Sequence, residues 1–179
     1  MSFTNIVTMN LYDSSVPVFE KTLTNLAAIL GKAKVYAASR GMAESELLEA
    51  RLAPDMFPLV RQVQIVSDNA KGIAARLIGQ ESPKMEDNEQ SLDALIARCD
   101  RTVTYLATLK PEQFEGAEER KIPFTDVEGK CLTGTDMLRF MSLPNFYFHA
   151  ATAYDILRHK GLEIGKTDFI GQLPLKNIE

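Results

Sequence analysis

Few residues in this chain are of a type to do chemistry. There are two histidines, His149 and His159, ten positions apart. On one helix that spacing separates them by roughly 15 Å of axial rise. Metal–nitrogen bonds are about 2 Å long, so one ion cannot bridge the two rings. A three-histidine centre is excluded by count, and neither a metal nor another cofactor is expected. His149 could instead pair with a carboxylate. Asp68 with His149 would form a carboxylate–imidazole unit that orients the ring or lets it act as a general base. The plainer alternative is a buried histidine whose nitrogens are satisfied by polar neighbours that fix helix register.

The remaining reactive types are weaker signals. Cys99 and Cys131 lie 32 positions apart, in a chain whose Met-Ser-Phe-Thr-Asn-Ile start lacks the basic, then apolar, pattern of a secretion signal. Reduced thiols and a cytoplasmic location are therefore expected. Cys99 falls on an apolar helical stripe and reads as core; Cys131 lies in a short polar segment and reads as exposed. Arg51, Arg61, Arg76 and Arg158 could grip a carboxylate or phosphate, although scattered arginines more often form surface ion pairs. Gly165-Lys166-Thr167 is similar to the end of a phosphate-binding loop, but position 160 is lysine where that loop needs glycine, and no strand precedes it. Asp68 and Asn69 have poor helix propensity yet fall inside a helical pattern. They would line a pocket, or face the adjoining loop or a partner subunit.

Helical periodicity supplies the elements that must position these groups. From about Val16 to Ala38 apolar residues recur three and four apart, with Pro17 in the first turn, Ser14 or Ser15 as cap and Gly41 as stop. Ala43 to Arg51 predicts a short acidic helix. A second long helix begins between Pro54 and Pro58 and runs to Gly79, with a near-heptad stripe (Leu59, Val63, Val66, Ala70, Ile73 and Leu77 among it) suited to a bundle seam. A third covers about Ser91 to Leu109, followed by a single turn at Pro111 to Glu115. Lys121 to Thr133, around Asp126-Val127-Glu128-Gly129, predicts a small hairpin or extended arm. The last long helix starts near Thr135 and runs to Lys160, kinked or broken by Pro144. Its aromatic residues Phe140, Phe146, Tyr147, Phe148 and Tyr154 predict core or a dimer surface. The tail from Leu162 to Glu179 is expected to be irregular. The fold class is all-α, an up-down four-helix bundle occupying residues 1–179 as a single domain.

Composition narrows the partners. Of the 179 residues 45% are hydrophobic and 25% charged, as in an ordinary globular protein, and the net charge of −4 offers no basic stripe for nucleic acid. The longest stretch without formal charge, Phe140 to Tyr154, has 15 residues. That is short of the roughly 20 needed to span a membrane, so neither nucleic acid nor membrane is expected as a partner.

Several blocks resemble a known bacterial family. They are Arg51-Leu-Ala-Pro-Asp-Met-Phe-Pro-Leu-Val-Arg-Gln-Val-Gln, Ser67-Asp-Asn-Ala-Lys, Ala75-Arg-Leu-Ile-Gly, Leu143-Pro-Asn-Phe-Tyr-Phe-His, Ala153-Tyr-Asp-Ile-Leu-Arg-His and Gly165-Lys-Thr-Asp-Phe-Ile-Gly. The family is a domain of unknown function in the DinB/YfiT-like superfamily of metalloenzymes. The resemblance implies an up-down bundle with an unusual crossover connection, often homodimeric, and no particular reaction. Metal-binding members of the superfamily use one histidine from the second long helix and a His-x-x-x-His pair on a later one. This sequence is similar only at His149, because position 153 is Ala and the matching region of the second long helix holds Gln64 and Asp68.

Two functional expectations follow. One is a non-catalytic, homodimeric bundle that binds a small ligand or a protein partner, with Gln64, Asp68, Asn145, His149 and Tyr154 as the candidate pocket. The other, which the superfamily resemblance implies, is a thiol-dependent S-transferase or hydrolase acting through His149 and Asp68, or through a metal held by fewer histidines plus carboxylates.

Overall fold

Prolines and glycines delimit the helices much as the spacing predicts. The computed structural model describes residues 10–124 and 127–178. α1 spans Val16–Ser39, α2 Glu44–Leu48, α3 Leu59–Leu77 and α4 Leu92–Leu106, followed by a 3₁₀ turn at Pro111–Phe114. The strands β1 (Lys121–Pro123) and β2 (Cys131–Thr133) pair antiparallel, with Ile122 opposite Leu132. The short α5 (Gly134–Asp136) leads through a π-helical turn, Met137–Ser142, into α6 (Leu143–His159), and α7 (Lys166–Ile170) follows.

α1 packs along α4, α3 packs along α6, and the two pairs join where α3 meets α4. The consecutive long helices α1 and α3 are thus not the most closely packed ones. The chain between them, with α2, carries the path across the bundle. Phe19, Leu23 and Leu30 of α1, Val63, Val66 and Ala70 of α3, Leu95, Cys99 and Leu106 of α4, and Phe146, Ala150, Ala153 and Leu157 of α6 form the core. At its centre the Phe19 and Phe146 rings lie 4.7 Å apart, an apolar contact that ties the first helix to the last.

Four local details depart from or sharpen the sequence reading. Ser15 stands at the start of α1 without capping it; its hydroxyl donates backwards to the Leu11 carbonyl at 2.5 Å. Ser91 does cap α4, accepting from the Ala94 amide at 3.1 Å, and Glu44 of α2 accepts from the Leu92 amide at 2.8 Å. Two of the four unpaired amides of that helix end are satisfied, one of them by a distant element. The break at Pro144 takes the form of the π turn. Proline offers no N–H to the turn before it, and a wider turn absorbs the missing bond.

The tail is the clearest departure, because α7 forms where an irregular chain was expected. Gly165 donates its amide to Asp168 at 2.7 Å, Lys32 of α1 pairs with Asp168, and Asn25 donates to the Phe169 carbonyl at 3.0 Å. Five residues cannot hold a helix in water by propensity; docking on α1 does so here. Asp126 of the expected hairpin loop and the N-terminal segment read for a signal lie outside the described residues. No described helix is long and apolar enough to cross a membrane.

Candidate functional site

α3 carries an unusual number of polar residues on its inner face. Gln62, Gln64, Ser67 and Lys71 are all buried there, and each must find a partner or pay a desolvation penalty. How they do so separates the expected site residues from one another.

Gln62 faces α6. Its amide nitrogen donates to the Phe57 carbonyl at 2.9 Å, and its oxygen lies 2.6 Å from His149 Nδ1. A carbonyl can only accept, so the amide is oriented with its oxygen toward the imidazole. Nδ1 must then carry the proton, and Nε2 holds the lone pair. Burial, reinforced by the positive charge of Arg61, lowers the His149 pKa below 6.5. His149 is therefore a neutral, buried histidine held by an amide. The expected pair with Asp68 does not form, because the acceptor that reached His149 is a neutral oxygen two residues before Gln64.

One prediction follows from this geometry. Long-range proton–nitrogen NMR should show His149 as the Nδ1–H tautomer, titrating below the 6.5 of a free histidine. Because the folded pKa is depressed, the stability associated with the neutral ring is complete above 6.5. It is lost as pH falls through the lower folded value. A ring protonated on Nε2 alone, or one titrating at or above 6.5, would contradict this assignment.

Asp68 belongs to a different network. Arg98 of α4 is fully buried, and its guanidinium donates to Asp68 at 2.7 Å, to Glu89 at 2.9 Å and to the Glu86 carbonyl at 3.0 Å. It also pairs with Asp87 at 2.9 Å. Lys71 reaches Asp68 at 3.0 Å, Gln64 donates to Glu89 at 2.8 Å, and Arg61 pairs with Asp87. Burial by itself would raise the Glu89 pKa, but the hydrogen bonds from Gln64 and Arg98 outweigh it and hold the carboxyl below 4.5. Three of these anchors, Glu86, Asp87 and Glu89, come from the connection between α3 and α4. That long segment has no regular structure, and Arg98 pins it to the bundle. Gln64 and Asp68 thus hold a loop in place.

Asp68 and Asn145 nevertheless share a cleft. Between α3 and the π turn lies a space of about 290 Å³, lined by Arg61, Asp68, Asn69, Arg76, Ser142 and Asn145, with Ile65, Ile73, Met137 and Met141 as apolar walls. Ser142, buried, donates to Asn69 at 2.6 Å and so links the π turn to α3 across the cleft. The widened turn ahead of Pro144 is what brings Ser142 and Met141 to this face, and π turns recur at functional sites. Asp68 is held on one side by Arg98 and Lys71, while the Asn145 side chain makes no hydrogen bond to the described residues. The cleft presents amide donors and acceptors, one carboxylate and two guanidiniums around a small apolar lining. It is suited to holding a small polar molecule.

The other expected members lie elsewhere. Tyr154 turns to the C-terminal segment, donating to the Ile164 carbonyl at 3.4 Å and packing edge-on against Phe169 at 5.8 Å. Arg158 is occupied by the Leu162 carbonyl at 2.9 Å, and Arg51 lies 3.8 Å from Glu49. Cys99 is buried, and burial pushes its thiol up to about 12, which removes it as a nucleophile; Cys131 is exposed.

A shared metal does not fit these residues. Ala153, one turn beyond His149, is buried and has no ligand atom, and the group opposite His149 is an amide. Among the described residues no group of three or more histidine, cysteine or carboxylate side chains could hold an ion.

Sequence reasoning missed Gln62 and Arg98. Arg98 had a signal: it falls three residues after Leu95 and four before Thr102, on the buried stripe of α4, where a charge must be paired.

Comparison with known proteins agrees with this architecture. No curated protein matches the chain. A crystal structure of a DinB family member from Shewanella denitrificans is 43% identical, covers 94% of this chain and 96% of its own, and superposes with a TM-score of 0.90. The model of a domain of unknown function, DUF1993, matches residues 11–170. With that match over most of its length, and a bundle shared with a DinB family member, the chain belongs to the DUF1993 family of the DinB-like superfamily.

Proposed function

We propose that this DUF1993 protein is a cytoplasmic homodimer, one domain per chain, that binds a small polar ligand in the cleft between α3 and the π turn without using His149 catalytically. The observation that carries this reading is the cleft itself, where Asn145 offers an unpartnered amide beside Asp68, Asn69, Arg61 and Arg76. His149 is committed to Gln62, and Asp68 to Arg98, so neither is arranged as a base for the other. The exposed Phe140, Tyr147 and Phe148 of the last helical region support pairing of two copies.

The test is a thermal-shift screen of small polar metabolites, with light scattering to give the mass. A ligand at a hundred times its dissociation constant stabilises the folded state by about 2.7 kcal/mol, which should raise the melting temperature by several degrees. Asn145→Leu keeps the fold and should abolish the shift. A protein that is monomeric at micromolar concentration, with no responding ligand, would overturn the reading. So would a ligand shift unaffected by Asn145→Leu.

A further inference from the structure

A second cleft, of about 390 Å³, opens beyond the C-terminal end of α3. Arg76, Gly79, Arg120, Lys121, Ile122 and Pro123 line it, and no carboxylate does. The chain as a whole is acidic, at −4. Even so, none of these three cations has an acidic partner within ion-pair distance among the described residues. Glu118 and Glu119 precede Arg120 in the chain but do not line the opening. Three cations lining one cleft, with no acidic partner among the described residues, make a local positive field in a protein of this balance.

The geometry of Arg120 adds to the charge. Its Nε donates to the Leu77 carbonyl at 3.0 Å, which fixes the plane of the guanidinium. Neither terminal nitrogen bonds to a described residue. Nη1 lies only 2.7 Å from where a side chain on residue 79 would begin, and Gly79 has φ +71°. Glycine both permits that backbone conformation and leaves room for the guanidinium over it. Capping the carbonyls of α3 accounts for Nε, since cations are favoured at a helix C-terminus. It accounts for neither terminal nitrogen of Arg120, nor for the gathering of Arg76 and Lys121. A planar fork held in place with both arms free is the arrangement that grips an oxyanion at low entropic cost. Beside it the exposed Pro123 ring offers an apolar surface, while the Ile122 side chain turns into the core.

We propose that this cleft binds the phosphoryl group of a small organic phosphate monoester, with Arg120, Lys121 and Arg76 on the phosphate and Pro123 against its apolar portion. Three cations match a dianion better than a carboxylate. The site goes beyond the ligand cleft described above and shares only Arg76 with it, so either can fail without the other.

The experiment is calorimetric titration of the full chain with phenyl phosphate at low ionic strength, with benzoate as the carboxylate counterpart. Phenyl phosphate should bind, benzoate should bind more weakly, and Lys121→Gln and Arg120→Gln should each weaken phenyl phosphate by roughly tenfold, the value of a charge-assisted hydrogen bond. Arg40→Gln and Asn145→Leu should leave its affinity unchanged. Arg120→Gln also removes a helix cap, so Lys121→Gln, an exposed position, keeps the test valid if that variant folds poorly. Absence of binding at millimolar phenyl phosphate would overturn the proposal. So would equal binding by Lys121→Gln and the parent, benzoate binding as tightly as phenyl phosphate, or loss of binding in Asn145→Leu.

Discussion

Arg98→Met is expected to destabilise the protein by about 3–5 kcal/mol, the usual cost of removing one member of a buried ion network. The arginine is fully buried, and Glu89 and Asp68 both depend on it. Without it the Glu89 carboxylate keeps Gln64 at 2.8 Å and the more distant Arg101 at 3.8 Å, and remains buried. For a chain of this size the loss corresponds to roughly 6–20 °C in melting temperature, measurable by calorimetry or urea denaturation. The double variant Arg98→Met, Glu89→Gln should recover part of the loss, because the stranded charge is gone. Acid should act on the same network. The Glu89 pKa is held below 4.5 in the folded state, so its stabilisation is complete above 4.5 and is lost as pH falls through the folded value. Arg98→Met should therefore be less acid-sensitive than the parent. A variant within about 1 kcal/mol of the parent would show that the loop between α3 and α4 is held by other means.

Gly134→Ala is the second large effect. A Cβ on Gly134 would sit 1.9 Å from the Ala117 carbonyl oxygen, with Leu77 Cδ2 at 3.0 Å. The obstructing atom is backbone, and it cannot swing aside as the end of a side chain would. Overpacking of a core ordinarily costs about 1–3 kcal/mol, and a backbone clash this deep should exceed that. Two nearby bonds fix the approach, from the Thr135 amide to the Glu118 carbonyl at 3.2 Å and from the Asp136 amide to Thr133 Oγ1 at 3.1 Å. The expected outcome is loss of at least about 3 kcal/mol, with the hairpin and the start of the last helix losing hydrogen-exchange protection first. A variant as stable as the parent would mean that β2 and α5 can shift away from Ala117 without cost.

Much of the architecture was legible in the sequence, because it rests on local physics. The stripe on α3, the proline at the start of α1, the glycine ending it and the proline in α6 each act on neighbouring residues, and their effects survived folding. The short pair of strands was legible for the same reason: Ile122 and Leu132 flank a turn sequence. α7 was not legible, since Asn25 and Lys32 hold it from another helix.

The candidate site divides in the same way. That His149 could not share a metal with His159 followed from residue identity and helical rise alone, and that Ala153 stands where a second ligand would be was implied by the resemblance to the DinB-like superfamily. Which group met His149 followed from neither. Gln62, Gln64 and Asp68 all lie on α3 within two turns, and periodicity cannot say which of them faces α6 and which faces α4. Packing decided it, because α3 lies between two helices. Gln62 turned to the imidazole, while Asp68 turned to a buried arginine on α4. Arg76 and Arg120, far apart in the chain, came to one cleft by the same means. The sequence by itself determined which chemistry the residues allow and which helices carry them. Only the tertiary structure decided which polar groups meet, because a buried donor or acceptor takes the partner that packing brings within reach.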